Sequence, residues 1–315
     1  MLSYIIKRIL SLIPTLFVVS VVVFLVVYMI PGPATALLGM EATPEAIADL
    51  NAELGFDRPF FVQYADWFIN MLHGDWGQSY FLQTTVLDAI GEYFAPTFSL
   101  AVFAQLISLV IAVPLGILAA YRRGTCVDMI TVSASLLGIA IPGFLLSMFL
   151  MLFFGVHLKW LPVAGYVQMS QGILEHLRYL LLPALSLGVV QAAYITRMSR
   201  SAMLDVLYMN YIRTARAKGL KESAVVLVYG LKNAGPTILT VVGQSFGSLV
   251  TGTIVTETLF NIPGLGMLTM TSITRRDVFV IQGVVLFVTF IYVLVNLAVD
   301  ILYGFVDPRI QLGNK

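Results

Sequence analysis

Three arrangements in this 315-residue chain have residue types that chemistry uses, and each lacks a needed part. Gly243-Gln244-Ser245-Phe246-Gly247 fits G-x-S-x-G, the strand-to-helix elbow that presents a serine to a histidine base. Ser245, however, falls inside a long uncharged run, whereas His73, His157 and His176 belong to segments that end up outside it. With no base in reach the hydroxyl is not activated, and no catalytic residue is assigned. The same histidines lack ligand spacing, and the single cysteine, Cys126, excludes both a cysteine zinc site and an intrachain disulfide. No metal site is expected. No Gly-Lys dipeptide occurs, so the phosphate loop G-x-x-x-x-G-K-[ST] is absent and the chain is not itself a P-loop ATPase.

The elements that would have to position such groups are set by hydropathy. The chain is 59% hydrophobic and 11% charged, against roughly 25% charged in a soluble domain, and its mean hydropathy is +0.91. That composition excludes a soluble globular enzyme. Eighteen Lys and Arg against 17 Asp and Glu leave a net charge of +1, so no basic field exists to hold nucleic acid. An apolar run of roughly 20 residues crosses a bilayer core about 30 Å thick. Six uncharged runs are long enough, which predicts an all-α integral membrane protein with helices at about 9–30, 97–121, 129–156, 179–196, 236–256 and 278–299.

Cations stay on the cytoplasmic side. With the N terminus inside, only Arg58, Lys159, Arg178, Arg275 and Arg276 fall outside, and the other thirteen Lys and Arg fall inside. Both termini are therefore expected in the cytoplasm. Ala34-Thr35-Ala36 resembles a signal-cleavage triplet, but the uncharged stretch before it is far longer than a signal peptide needs, so cleavage is not expected. The chain divides into a first transmembrane helix (1–30), an extracytoplasmic segment (31–96), a five-helix core (97–300) and a cytoplasmic tail (301–315).

The outer segment carries nine acids against one arginine. Thr43 and Pro44 open a short amphipathic helix that Gly55 ends, and Phe60, Tyr64, Trp67, Phe68 and Met71 recur at helical spacing, as in a helix laid on the outer membrane surface. The acidic excess suits either a cationic ligand or plain solvation. A long cytoplasmic loop, 197–235, holds seven cations against Asp205 and Glu222. Within it Tyr211-Ile212-Arg213-Thr214-Ala215-Arg216-Ala217-Lys218-Gly219-Leu220 reads as a short Ala-rich helix stopped by Gly219, with a second start at Lys221-Glu222-Ser223. Arg213 and Arg216 share one face of it, beside small residues that allow a partner surface to come close.

At this loop the chain resembles the permease subunits of binding-protein-dependent ABC importers, in the peptide and nickel uptake family that includes dipeptide, oligopeptide and glutathione importers. That family's EAA loop reads Tyr-hydrophobic-Arg-Thr-Ala-Arg-Ala-Lys-Gly, and Tyr211 to Gly219 match it throughout. Ile262-Pro263-Gly264-Leu265-Gly266, Arg276-Asp277, Gln282-Gly283 and Asp307-Pro308-Arg309 resemble its C-terminal half; Lys7-Arg8, Pro31-Gly32, Asp57-Arg58-Pro59 and Gly74-Asp75 resemble its N-terminal half. Two positions depart from it: Asn210, where relatives often carry an acid, and Pro31-Gly32-Pro33-Ala34, where they often carry Pro-Gly-Asp-Pro.

The resemblance implies a type I ABC importer permease fold and a multi-pass protein of a prokaryotic inner membrane. Its partners would be a second homologous permease, one or two P-loop ATPases and an extracytoplasmic solute-binding protein. The 211–220 helix would dock on an ATPase, and ATP and Mg would be bound there, with no cofactor in this chain. The expected solute is a peptide, with nickel chelates or another small solute as alternatives and an ion-driven secondary transporter as a remote one. Among the spans the fifth is richest in polar groups, and Gln244, Ser245, Ser248, Thr251 and Thr253 are the expected path lining. Gly243-x-x-x-Gly247 and Ser248-x-x-x-Gly252 provide close helix approach, and Pro142-Gly143 is the expected hinge. Glu257 and Asp277 are expected at outer ends, open to solvent or a binding protein.

Overall fold

The structure is a computed structural model that describes residues 2–29, 38, 43–53 and 55–306, with side chains described between residues 10 and 302 of those ranges. Ala34-Thr35-Ala36, Pro31-Gly32-Pro33-Ala34 and Asp307-Pro308-Arg309 lie outside the described residues.

In a bilayer a backbone must bond to itself, and helices do this within one segment. Helix α1 (Leu2–Tyr28) is followed by short α2 (Pro44–Glu53) and α3 (Phe60–Leu72), and by a minimal antiparallel hairpin of β1 (Gln78–Ser79) and β2 (Thr84–Thr85). Long α4 (Val86–Tyr121) starts at once, capped by Thr85 Oγ1, which accepts from Asp88 N at 3.1 Å. Next come α5 (Cys126–Ala140), α6 (Gly143–Leu150, extended by a π turn to His157) and α7 (Ile173–Leu207). Short α8 (Asn210–Ala217) leads through Glu222–Ala224 and a π turn at Val225–Gly230 into α9 (Leu231–Thr251). The chain ends with α10 (Ile254–Phe260), α11 (Leu265–Arg275) and α12 (Val278–Val306).

Among the described residues five helices are long and apolar enough to cross a membrane, or six spans if α5 and α6 count as one. The expected third span at 129–156 is not one straight helix. Pro142 cannot donate to Ile141's turn and biases Ile141 to extended backbone (φ −78°, ψ 121°), so α5 and α6 meet at 96°. Other spans run past their uncharged runs: α4 begins at Val86 and α7 covers 173–207, because charged residues at helix ends need not lie in the apolar layer. The expected fifth span stops at Thr251, and 254–260 form the separate α10.

Helices α4 and α7 form the central pair. Gly116 sits where a Cβ would lie 2.7 Å from Ser199 Cβ, so only glycine permits this crossing. Leu100, Ala101, Ala104, Leu180 and Leu182 meet Leu249, Val250, Phe260 and Ile262 in one buried core. Gly243 and Gly247 face α12, against Val299 and Tyr292, while Gly252 is exposed and faces no other helix. Helix α3 packs antiparallel along α1: Phe60 meets Tyr28 and Phe24, Tyr64 meets Phe24 and Phe17, and Phe68 meets Phe17. A hydrogen bond between Ser20 Oγ and Tyr64 OH at 2.8 Å fixes the pairing.

Candidate functional site

Helix α8 is held between two breaks at the end of the bundle where α4 and α7 terminate. Its C terminus closes with Leu220 N donating to Ala215 O at 3.4 Å and Gly219 N donating to Arg216 O at 2.9 Å. That pair is the Schellman arrangement, and Gly219 takes the left-handed φ of 74° it requires. One face of α8 is anchored: Ile212 is fully buried and Ala215 nearly so, against Met203 and Leu207 of α7 and Val225 and Val226 of the π turn. Burying Ile212 stabilises the docking by about 2 kcal/mol.

The opposite face is open. Tyr211, Arg213, Thr214, Arg216, Ala217, Lys218, Gly219 and Leu220 are all exposed. Arg213 and Arg216 differ in one respect that their spacing did not reveal. The Arg216 guanidinium reaches Glu222 at 2.7 Å, tying α8 to the segment that follows it, whereas Arg213 makes no ion pair among the described residues. The Glu222 hydrogen bond raises the Arg216 guanidinium further above its already high ordinary value, so this tie stays charged.

A second set of contacts stiffens this end, and sequence reasoning missed it. Arg200 of α7 grips Asp128 of α5 with two bonds, Nε to Oδ1 at 2.5 Å and Nη2 to Oδ2 at 2.8 Å. Gly124 N donates to Asp128 Oδ2 at 2.9 Å, and Arg123 donates to Tyr208 OH at 2.6 Å, two residues before α8. The short 122–125 loop is thereby bound to the helix that carries α8. No local signal marks a pair 72 residues apart; the acid at the first turn of α5 was the only trace.

The expected path residues divide. Gln244 and Ser248 are exposed and Thr251 is half-buried, while Ser245 is buried and donates to Gln105 Oε1 at 3.2 Å, and Thr253 is buried and donates to Glu257 Oε1 at 2.7 Å. Ser245 and Thr253 therefore serve contacts within the chain. The outward set extends down the helix through Thr240, Thr237 and Asn233, giving an uncharged polar stripe at three- and four-residue spacing. It runs toward a groove of about 380 Å³ between α9, α10, α11 and α12, lined by Thr251, Thr253, Thr269, Thr289 and Tyr292. Pro142 and Gly143 lie at the 96° bend.

Glu257 and Asp277 are not open to solvent. Glu257 is fully buried, and its carboxylate accepts from Thr97 Oγ1 (2.7 Å), Thr253 Oγ1 (2.7 Å), Gly266 N (2.7 Å) and Met267 N (3.1 Å). It caps the N terminus of α11, where free N–H groups and the helix dipole favour an anion. A Cβ on Gly264 or Gly266 would meet the carboxylate at 2.5 or 2.9 Å, which explains the two glycines beside it. Asp277 is likewise buried and accepts from Ser79 Oγ of the hairpin at 2.5 Å.

Residues 112–312 match the model of the binding-protein-dependent transport system inner membrane components, and residues 1–101 match that of the N-terminal part of such membrane components. The chain belongs to this family of inner membrane components. This inner membrane component is 39% identical over 98% of its length to a probable peptide ABC transporter permease of Sinorhizobium fredii, covering 99% of it. It is 41% identical to a putative peptide transport system permease of Brucella suis and 40% identical to a glutathione transport system permease of Escherichia coli, each over 99% of both chains. Its fold is that of a chain in the inward-facing MetNI methionine ABC transporter, with a TM-score of 0.57, 19% identity, and coverage of 70% of this chain and 96% of that one.

Proposed function

We propose that this permease forms half of the path of an ATP-driven peptide importer and that α8 receives the stroke of a partner ATPase. The observation that carries the proposal is the two-sided nature of α8: an apolar face fixed to α7 and to the π turn that leads into α9, and a cationic face left open. A helix so mounted moves with α7 and that turn. ATP with Mg is bound and hydrolysed in the partner, and closure of paired ATPases favours one orientation of the spans over the other.

The path needs a second permease, because the stripe from Asn233 to Thr251 faces away from this chain's own core. Uncharged amide and hydroxyl groups suit a peptide, whose backbone donates and accepts hydrogen bonds along its length. The named peptide and glutathione permeases among the relatives support that solute class. In this reading six spans cross a prokaryotic inner membrane, both termini are cytoplasmic, and an extracytoplasmic solute-binding protein delivers the peptide. Residues 31–96 then lie outside and 197–235 inside.

Reversing both charges with Arg213→Glu and Arg216→Glu tests the reading in proteoliposomes containing the assembled transporter. Uptake is expected to fall to background while the assembled protein remains in the membrane. Normal uptake with normal solute-stimulated ATP hydrolysis would overturn the assignment of α8.

A further inference from the structure

At the end of the bundle opposite α8 lies a cavity of about 940 Å³, bounded by α1, α2, α3, the hairpin and α12. We propose that it binds a primary ammonium group. One buried polar side chain in its wall has no partner: Gln282, 5% exposed, lines the cavity with an amide that bonds to nothing among the described residues. Buried polar groups in native proteins are nearly always satisfied, so an unfilled acceptor at a cavity wall points to a donor that arrives with a ligand.

The rim defines that donor's charge. Glu53, Asp66 and Asp75 line the cavity against Arg58 alone, and Arg58 is already committed to Asp66 at 3.0 Å. Burial raises the Tyr80 phenol above its ordinary value, and the Glu53 and Asp277 carboxylates add to the rise. Trp67 and Tyr28 also line the cavity, and aromatic rings attract a cation that approaches them. A metal ion fits poorly: among the described residues no three carboxylate, histidine or cysteine groups converge as ligands. Dispersed carboxylates, a neutral acceptor and aromatic walls match an organic ammonium, and the carbonyl oxygen of the Gln282 amide selects one that still carries N–H. A quaternary ammonium would leave that oxygen unfilled.

Two sources share this chemistry, the amino terminus of a peptide and the ethanolamine headgroup of a lipid. Only the first rests on the permease reading. The test is calorimetric titration of the full chain in phosphatidylcholine nanodiscs with trialanine, ethanolamine and N-acetyl-trialanine. Trialanine and ethanolamine are expected to bind, and acetylation or the double change Glu53→Gln with Asp75→Asn to weaken trialanine by about tenfold or more. If phosphatidylethanolamine in the disc suppresses trialanine binding, the headgroup is an occupant; if it does not, the site takes a soluble amine. Equal binding of the acetylated peptide, or no binding of either amine by the unaltered chain, would overturn the proposal. Because no ATP or transport is read, failure here leaves the permease reading intact, and failure of coupling leaves this site intact.

Discussion

Glu257 illustrates how much a single side chain fixes in a membrane protein. Its four donors come from α4, from the α9–α10 break and from the start of α11, so one carboxylate joins three parts of the chain. Glu257→Leu would leave four donors facing an apolar group, and at about 1 kcal/mol or more for each buried unsatisfied donor the loss is roughly 4 kcal/mol. Thermal unfolding in detergent is expected to show a large drop in midpoint for Glu257→Leu and a smaller one for Glu257→Gln, which keeps one acceptor. Asp128→Ala strands the Arg200 guanidinium, whose side chain is 23% exposed, and is expected to cost about 2 kcal/mol in the same measurement. Neither residue's role was legible in the sequence. Hydropathy marked Glu257 as the end of an apolar run, and the donor that decides its environment, Thr97, is 160 residues away.

At the scale of elements, local signals carried furthest where local chemistry decides the structure. Gly219 places the end of α8, since only a residue tolerant of positive φ completes that turn, and Pro44 and Gly55 bracket α2. Gly219→Pro forces φ to about −65° against the observed 74° and breaks the Schellman closure. We expect this variant to stay in the membrane, because Ile212 and the long helices are unaffected, and to hydrolyse ATP without moving solute. Parallel assays of ATP hydrolysis and uptake in proteoliposomes check it; coupled transport at the normal ratio would contradict it. Where two tertiary outcomes share one local pattern, the sequence was silent. The aromatic period of α3 does not say which element its rings meet, and the partner, α1, is fixed by Ser20 and the ring contacts. The bend at Pro142 had a visible cause, yet its 96° angle depends on packing of α6 against α7 and α10.

For the whole molecule, the telling feature is what this chain leaves uncovered. The α9 stripe and the open face of α8 are the polar surfaces that the chain's apolar core leaves exposed. Packing against a second such bundle, as proposed above, would keep this uncharged polar stripe from lipid. Polar content in the sequence drew attention to the fifth span, but only the fold separated its outward residues from Ser245 and Thr253, which look identical in composition. Work as a permease within an ATP-powered assembly can be checked by purifying the tagged chain from its native membrane in mild detergent and weighing the intact assembly by native mass spectrometry. A complex containing a second multi-span permease and one or two kinds of P-loop ATPase is expected. Recovery of the chain alone, with vesicles of that chain moving solute on an ion gradient, would contradict it.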